Sequence, residues 1–359
     1  MMKKEDLIHS IMRISDANGI SGFEDEVLAV IRDEGSSLGT FKEDRLRNLY
    51  LYRSENREGL PLVQLNAHTD EVGFMVKAIR PDGMLEFIPI GGWIPSNVPA
   101  HMVRILNKEG EYVPAVVASK PPHFMSEAER NAPLDLSKMV LDVGARSREE
   151  VVKEYRIGIA APVIPDVTCR YDANHDLLIG KAFDCRIGCA SVLATMKALQ
   201  GKTLPVNLVG DFSSQEEVGT RGSMVSTEQI GADLAIVFEG CPADDTVVPE
   251  YQAQTCLKKG PMLRHIDARM ITNPRYQRYA LNLAEELGIP VQEAVREAGA
   301  TNGAPIHLSG GGIPAIVIGV PVRYAHTHYG ISAVFDVEAA IALATELLQR
   351  LDEKIIRSF

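Results

Sequence analysis

Apolar residues recur at helical spacing from Glu5 to Ala17, where Leu7, Ile11 and Ile14 fall on one face. In the next stretch, "GISGFEDEVLAVI", Ser21 with Glu24 fits a capping box, and Val27, Leu28 and Ile31 form the buried stripe of a second helix. Leu49 to Tyr52 and the run LPLVQLNA, ending at Ala67, read as strands. From Val72 to about Val163 the pattern changes. Short apolar stretches alternate with turn signals such as Pro81-Asp82-Gly83, with one helix expected to start at Ser147. After Pro165 helix and strand alternate again. Helices are expected over Gly188–Leu199, Arg275–Leu287 and Ala339–Leu351, with continuous apolar strands over Pro205–Phe212, Ala232–Phe238 and Pro314–Val320.

Continuous apolar strands separated by helices imply a sheet covered on both faces. The expected fold is therefore α/β, a mixed sheet with helices on both sides, interrupted by a small β-rich insert. Residues 1–72 and 166–359 make the α/β part and 73–165 the insert. A chain of 359 residues with 45% hydrophobic and 24% charged residues is ordinary for a globular protein. The net charge of −11 argues against nucleic acid or an anionic membrane as partner. The odd set Cys169, Cys185, Cys189, Cys241 and Cys256 contains no C-x-x-C pair and suits reduced thiols. Charges interrupt the N-terminal apolar residues, and no run approaches the ~20 residues of a membrane span, so a cytoplasmic protein is expected.

The chemistry lies where apolar runs end. LVQLNA leads to His68 and Asp70, LIGKAF to Asp184, VNLVGDFSSQ to the adjacent pair Glu216 and Glu217, LAIVF to Glu239, and AIVIGVPVRYA to His326. In doubly wound sheets, ligands gather outside the carboxyl ends of the strands. Imidazole and carboxylate donors without thiolate suit a catalytic zinc, cobalt or manganese site. Taken singly, each residue has an ordinary reading: a hydrogen-bonded histidine, a solvated glutamate pair, an Asp184–Arg186 ion pair, a turn acid. Their shared placement favours the metal site. His307 and His328 read as structural. Gly310 to Gly312 read as the turn into the Pro314 strand, and Trp93 as packing or an oligomer contact.

The motifs resemble those of the M42 metallo-aminopeptidases, the glutamyl or tetrahedral aminopeptidase group. They are "AHTDEVGFMV" (67–76), "GKAFDCRIGCA" (180–190), "QEEVGTRGS" (215–223), "GATNGAPIHLSGGGIPA" (299–315) and "PVRYAHTH" (321–328), with "SGFEDEV" and "KPPH" at 120–123 in support. The resemblance implies two divalent ions per subunit, zinc first and cobalt or manganese as alternatives. His68, Asp184, Glu217, Glu239 and His326 would be ligands, with Asp184 bridging. Glu216 would be the general base, and Asp70 would orient His68. It further implies a peptide substrate, an insert used for oligomerisation, and a homo-oligomer as large as a dodecamer. Three positions depart from the family pattern: Glu239 and Asn302 stand where aspartate is usual, and Cys185 where Asp or Asn is usual. The same donors would also serve a metal-dependent deacylase, or a metal-binding chain with little activity. A glycosidase would leave His68 and His326 unused.

Overall fold

The computed structural model describes residues 2–359. Helices α1 (Lys4–Asp16) and α2 (Asp25–Glu34) lead into strands β1 (Gly39–Glu43), β2 (Leu49–Arg53) and β3 (Leu62–His68). The expected stripe of α1 is buried, with Leu7, Ile11 and Ile14 inside. The capping box expected before α2 is not made: Glu24 is the N-cap residue and no side chain caps the helix. Ser21 donates its hydroxyl to Asp70 Oδ2 at 2.6 Å, and Glu24 Oε1 accepts the Gly22 N–H. Ser21 is thus drawn to Asp70 just past the end of β3, and Glu24 Oε1 also accepts the distant Gln215 N–H at 3.2 Å.

The interval 73–165 closes as a six-stranded barrel. Its strands are β4 (Gly73–Ile79), β5 (Leu85–Ile90), β6 (Met102–Leu106), β7 (Tyr112–Val117), β8 (Val140–Asp142) and β9 (Pro162–Pro165), in the order β4-β5-β8-β7-β6-β9. Closure leaves no free sheet edge. The barrel has its own core, including Phe74, Val76, Phe87, Val103, Ile105 and Leu141. Two short helices lie in its loops, α3 (Glu127–Asn131) and α4 (Arg148–Lys153). Ser147 caps α4 by accepting the Glu150 N–H, as its position in the pattern predicts.

The rest of the chain supplies β10 (Arg170–Asp172), β11 (Leu177–Gly180), α5 (Phe183–Ala198), β12 (Asn207–Ser213), α6 (Arg221–Ile230) and β13 (Leu234–Pro242). Then follow β14 (Met262–Ile266), α7 (Pro274–Leu287), β15 (Gln292–Val295), α8 (Gly303–Leu308), β16 (Ala315–Val322), β17 (Gly330–Ala333), α9 (Val334–Arg350) and α10 (Glu353–Ile356). Eight strands form one sheet in the order β1-β2-β12-β3-β13-β16-β14-β15. Its four central strands are parallel. β2 and β14 run against them, so the sheet is mixed.

One face carries Leu65, Leu208, Ile236 and Ile318 against Ile187 and Leu193 of α5 and Leu343 and Leu347 of α9. The other carries Val237 and Val317 against Ala304 and Ile306 of α8. β12 lies on one side of β3, and β13, the next sheet strand in the chain, lies on the other. Winding therefore reverses at β3, which places a crevice beyond its carboxyl end. Among the described residues, no helix is long and apolar enough to cross a membrane.

Candidate metal centre

His68 is the last residue of β3, and its ring is the hub of the crevice. Nε2 lies 3.1 Å from Asp184 Oδ1, 3.3 Å from Glu239 Oε1 and 4.0 Å from Glu216 Oε2. The second imidazole, His326, lies beyond β16. Its Nε2 is 3.3 Å from Asp184 Oδ2 and 3.5 Å from Glu217 Oε2. The two oxygens of Asp184 thus face the two imidazoles separately. Asp184 holds this position because α5 does not start as a regular helix. Asp184 and Cys185 have non-helical backbone angles, and the peptide bond between them is cis.

The adjacent glutamates diverge. Gln215 adopts a left-handed φ of 53°, which bends the chain just after β12. The Glu216 N–H then donates to Asp70 Oδ1 at 2.9 Å and the Glu217 N–H to Asp70 Oδ2 at 3.1 Å. One carboxylate fixes both backbone positions, and the side chains approach different imidazoles. Asp70 also lies beside His68. Its Oδ1 is 3.4 Å from Nδ1, while its own backbone oxygen is nearer at 3.2 Å. His326 Nδ1 faces the Gly92 carbonyl at 3.0 Å, so the segment after β5 helps set the second ring.

This concentration of buried acid is electrostatically costly. Burial pushes Glu216 up to about 8 and Glu239 up to about 7, with neighbouring carboxylates adding to the shift. Glu217 is pushed well above its usual range by burial and by Asp184. Burial alone would lower the histidines. The carboxylates reverse that, so His68 is raised and His326 stands near 10. Burial opposes ionisation of Asp184 too, yet the two imidazoles hold it well below the ordinary carboxylate range.

Such a cluster needs positive charge, and the donor set suits divalent cations. His68, Asp184 and Glu217 bring ligand atoms within 4.8 Å of one another, as do His68, Cys185 and Glu239. Glu239 Oε2 is buried without a hydrogen-bond partner, an acceptor that a cation would satisfy. Glutamate at 239 reaches His68 despite its extra methylene. Cys185 donates its thiol to the Phe238 carbonyl at 3.2 Å, and burial raises its pKa strongly. All five cysteines are free thiols.

Other singled-out residues lie elsewhere. Asn302 is buried beneath the sheet, where Nδ2 donates to Ser213 Oγ at 2.8 Å and Oδ1 accepts from Ser223 at 2.6 Å. It buttresses the fold below the site rather than facing it. His307 Nδ1 faces its own helix, 3.0 Å from the Gly303 carbonyl. His328 is buried and stacks on His101 of the barrel, with ring centroids 4.0 Å apart, and Trp93 packs at 5.0 Å. Sequence reasoning missed Ser21 and Glu24, which support Asp70 and Gln215, because the capping-box reading used both side chains up.

Imidazoles and carboxylates gathered at the strand ends of a mixed α/β sheet define a metal-dependent hydrolase, and the comparisons specify which. The sequence model of the family described as M42 glutamyl aminopeptidase matches residues 48–343, and the chain belongs to that family of metal-dependent aminopeptidases. The glutamyl aminopeptidase of Lactococcus lactis is 31% identical over 332 residues, covering 92% of each chain. The lysyl aminopeptidase of Pyrococcus furiosus is 29% identical, covering 94% of this chain and 96% of its own. The TET aminopeptidase of the archaeon Thaumarchaeota archaeon SCGC AB-539-E09 superposes with a TM-score of 0.93 at 32% identity, covering 98% of this chain and 99% of its own.

Proposed function

We propose that this chain is a co-catalytic aminopeptidase that removes the N-terminal residue from short peptides, with Glu216 as general base. The observation that carries the reading is the divergence of Glu216 and Glu217 from one backbone anchor, Asp70. The proposed ligands are His68, Asp184 and Glu239 for one ion and His326, Asp184 and Glu217 for the other. Bound there, zinc, cobalt or manganese would polarise the scissile carbonyl and lower the pKa of the attacking water. Glu216 accepts the proton of that water and returns it to the departing amine. Burial and nearby acids raise its carboxyl, and bound cations would lower it again, favouring the carboxylate form that accepts the proton. A free α-amine would be able to serve as a ligand to one of these ions, which an acylated terminus cannot do. This favours peptide over N-acyl amino acid as substrate.

Glu216→Gln should retain metal and lose about 10²- to 10⁴-fold in kcat. Glu217→Gln should bind one ion fewer, read by elemental analysis. Near-normal turnover by Glu216→Gln rules out the assignment. Faster hydrolysis of an N-acetylated than of a free dipeptide turns the reading to a deacylase. The barrel over 73–165 we take as a separate unit inserted for assembly of subunits, the larger part of the chain being the catalytic unit.

A further inference from the structure

Glu71 follows Asp70 directly in the chain and is buried with two cations. Its Oε1 accepts from Lys181 Nζ at 2.5 Å, from Arg186 Nη2 at 3.2 Å and from the Gly19 N–H at 3.2 Å. Lys181 and Arg186 are themselves buried and stand on either side of Asp184 in the sequence. Arg186 pairs with Glu71 rather than with Asp184. Its other bonds go to the end of α1 and the chain just beyond. Nη1 donates to the Ile14 and Ala17 carbonyls at 2.8 and 2.7 Å, and Nη2 to the Gly19 carbonyl at 3.0 Å. Lys181 Nζ donates to the Ala17 carbonyl at 3.2 Å, and the Glu71 N–H to the Gly19 carbonyl at 2.9 Å. Together these bonds seat the connector between α1 and α2, residues 17–24, on the end of β3. The fit is close: a Cβ at Gly19 would stand 2.8 Å from Val27 Cγ2, 3.1 Å from Arg186 Nη2 and 3.3 Å from the Glu24 Cα. From this seat the connector reaches the site, where Ser21 donates to Asp70 Oδ2. A buried group of two cations and one carboxylate is a weak source of stability, because desolvation offsets the attraction.

We propose that Lys181, Arg186 and Glu71 are positioning residues: they lock the connector in place so that its Ser21 fixes Asp70, and through Asp70 both His68 and Glu216. The inference rests on the aminopeptidase reading above for the reaction it serves. Oδ2 of Asp70 is held between the Ser21 hydroxyl and the Glu217 N–H, and Oδ1 lies between His68 Nδ1 and the Glu216 N–H. Without the hydroxyl the carboxylate is free to turn, and a turn shifts the imidazole and the base together. Partners of this kind, one step behind the reacting groups, are typically worth about 10- to 100-fold in metal affinity or activity. Lys181 shares no hydrogen bond with Ser21; its bonds go to Glu71 and Ala17. Independent sites of that kind have additive effects, whereas a lock that works through Ser21 loses its effect once the hydroxyl is gone.

The test measures two quantities in wild type, Ser21→Ala, Lys181→Met and the double variant. One is kcat and KM, at saturating cobalt, for the aminoacyl p-nitroanilide that wild type cleaves fastest. The other is the cobalt dissociation constant, by competition with a chelator. Lys181→Met leaves Glu71 paired with Arg186, so no buried carboxylate is stranded. Ser21→Ala should lower kcat about tenfold and weaken cobalt binding about tenfold. KM should change less than about twofold, because residues 17–24 do not line the cavity beside the acids. Ser21→Thr, which keeps the hydroxyl, should restore most of both losses. Lys181→Met should cost about tenfold in wild type but less than about threefold in Ser21→Ala. Losses that multiply in the double variant overturn the proposal, as do wild-type kcat and cobalt affinity in Ser21→Ala. Should Lys181→Met fail to fold, Gly19→Ala takes its place in the same comparison, since it lifts the connector and removes no charge. A wild type that cleaves no reporter sinks the aminopeptidase reading, and the cobalt constants of the same variants then decide the positioning by themselves.

Discussion

Asp211 shows how one buried side chain beneath the centre makes stability depend on pH. It lies on β12 and is fully buried. Its Oδ2 accepts from Gln64, Asn66 and Ser226, each at 2.7 Å, while Oδ1 has no partner. Burial pushes its carboxyl up to about 6, and the three donors recover only part of that shift. The folded value therefore stands above the unfolded one of about 3.9. The native state binds the extra proton between the two, so this contribution to stability is present at low pH and lost as pH rises through about 6. Asp211→Asn removes the titration. The stability of the variant relative to wild type should improve from about pH 4 to pH 7, by up to about 3 kcal/mol. Urea denaturation of the metal-free proteins at both pH values measures this, and a difference that stays flat across the window contradicts it.

At the scale of elements, the centre depends on how closely β13 passes the irregular start of α5. A Cβ at Gly240 would stand 2.4 Å from the Phe183 carbonyl oxygen and 2.8 Å from the Asp184 Cα and N. These are backbone atoms and cannot swing aside, so Gly240→Ala should displace Asp184 from between the imidazoles. The expected loss is about 1–3 kcal/mol of unfolding free energy, typical of overpacking, together with weaker uptake of both ions. Unchanged denaturation and metal titration would show that the contact tolerates the methyl. The strands that carry the donors were legible in the sequence because they are buried on both faces and read as unbroken apolar runs. The structure extends the run ending at Phe238 to Pro242, and the run ending at Val320 to Val322. β14 and β15, at one edge of the sheet, went unread. At five and four residues, with Arg264, His265 and Glu293 inside them, they lack the unbroken apolar run of the central strands, and tertiary pairing is what makes them strands. The start of α5 at Phe183, ahead of the expected Gly188, was hidden for a similar reason, since its first turn is shaped by the crevice. Ser21 has the local form of a cap and a long-range partner, and no local rule separates the two.

For the whole molecule, the barrel has two different relations to its surroundings. Toward the crevice it is bound in: Gly92 supplies the acceptor for His326, and Trp93 and His101 pack on His328. Toward solvent, the barrel and its loops expose Ile88, Ile94, Met102, Phe124, Leu134 and Ile159, with Phe124 at 73% and Leu134 at 53%. We propose that these side chains are covered on association, the partner being a second copy of this chain. Phe124 and Leu134 belong to none of the barrel's core positions, so changing them tests association without dismantling the fold. Burying each in an interface would contribute about 1.5–3 kcal/mol. The double change Phe124→Glu, Leu134→Glu should therefore cost about 3 kcal/mol or more per interface and raise the subunit dissociation constant at least about a hundredfold. Light scattering should show a large particle for wild type and a smaller one for the variant. Hydrolysis per chain of a short reporter should persist, because what holds His326 from this side is a backbone carbonyl at Gly92, away from both substitutions. A monomeric wild type, or a variant of undiminished mass, would remove assembly from the barrel's role and leave those side chains without an account.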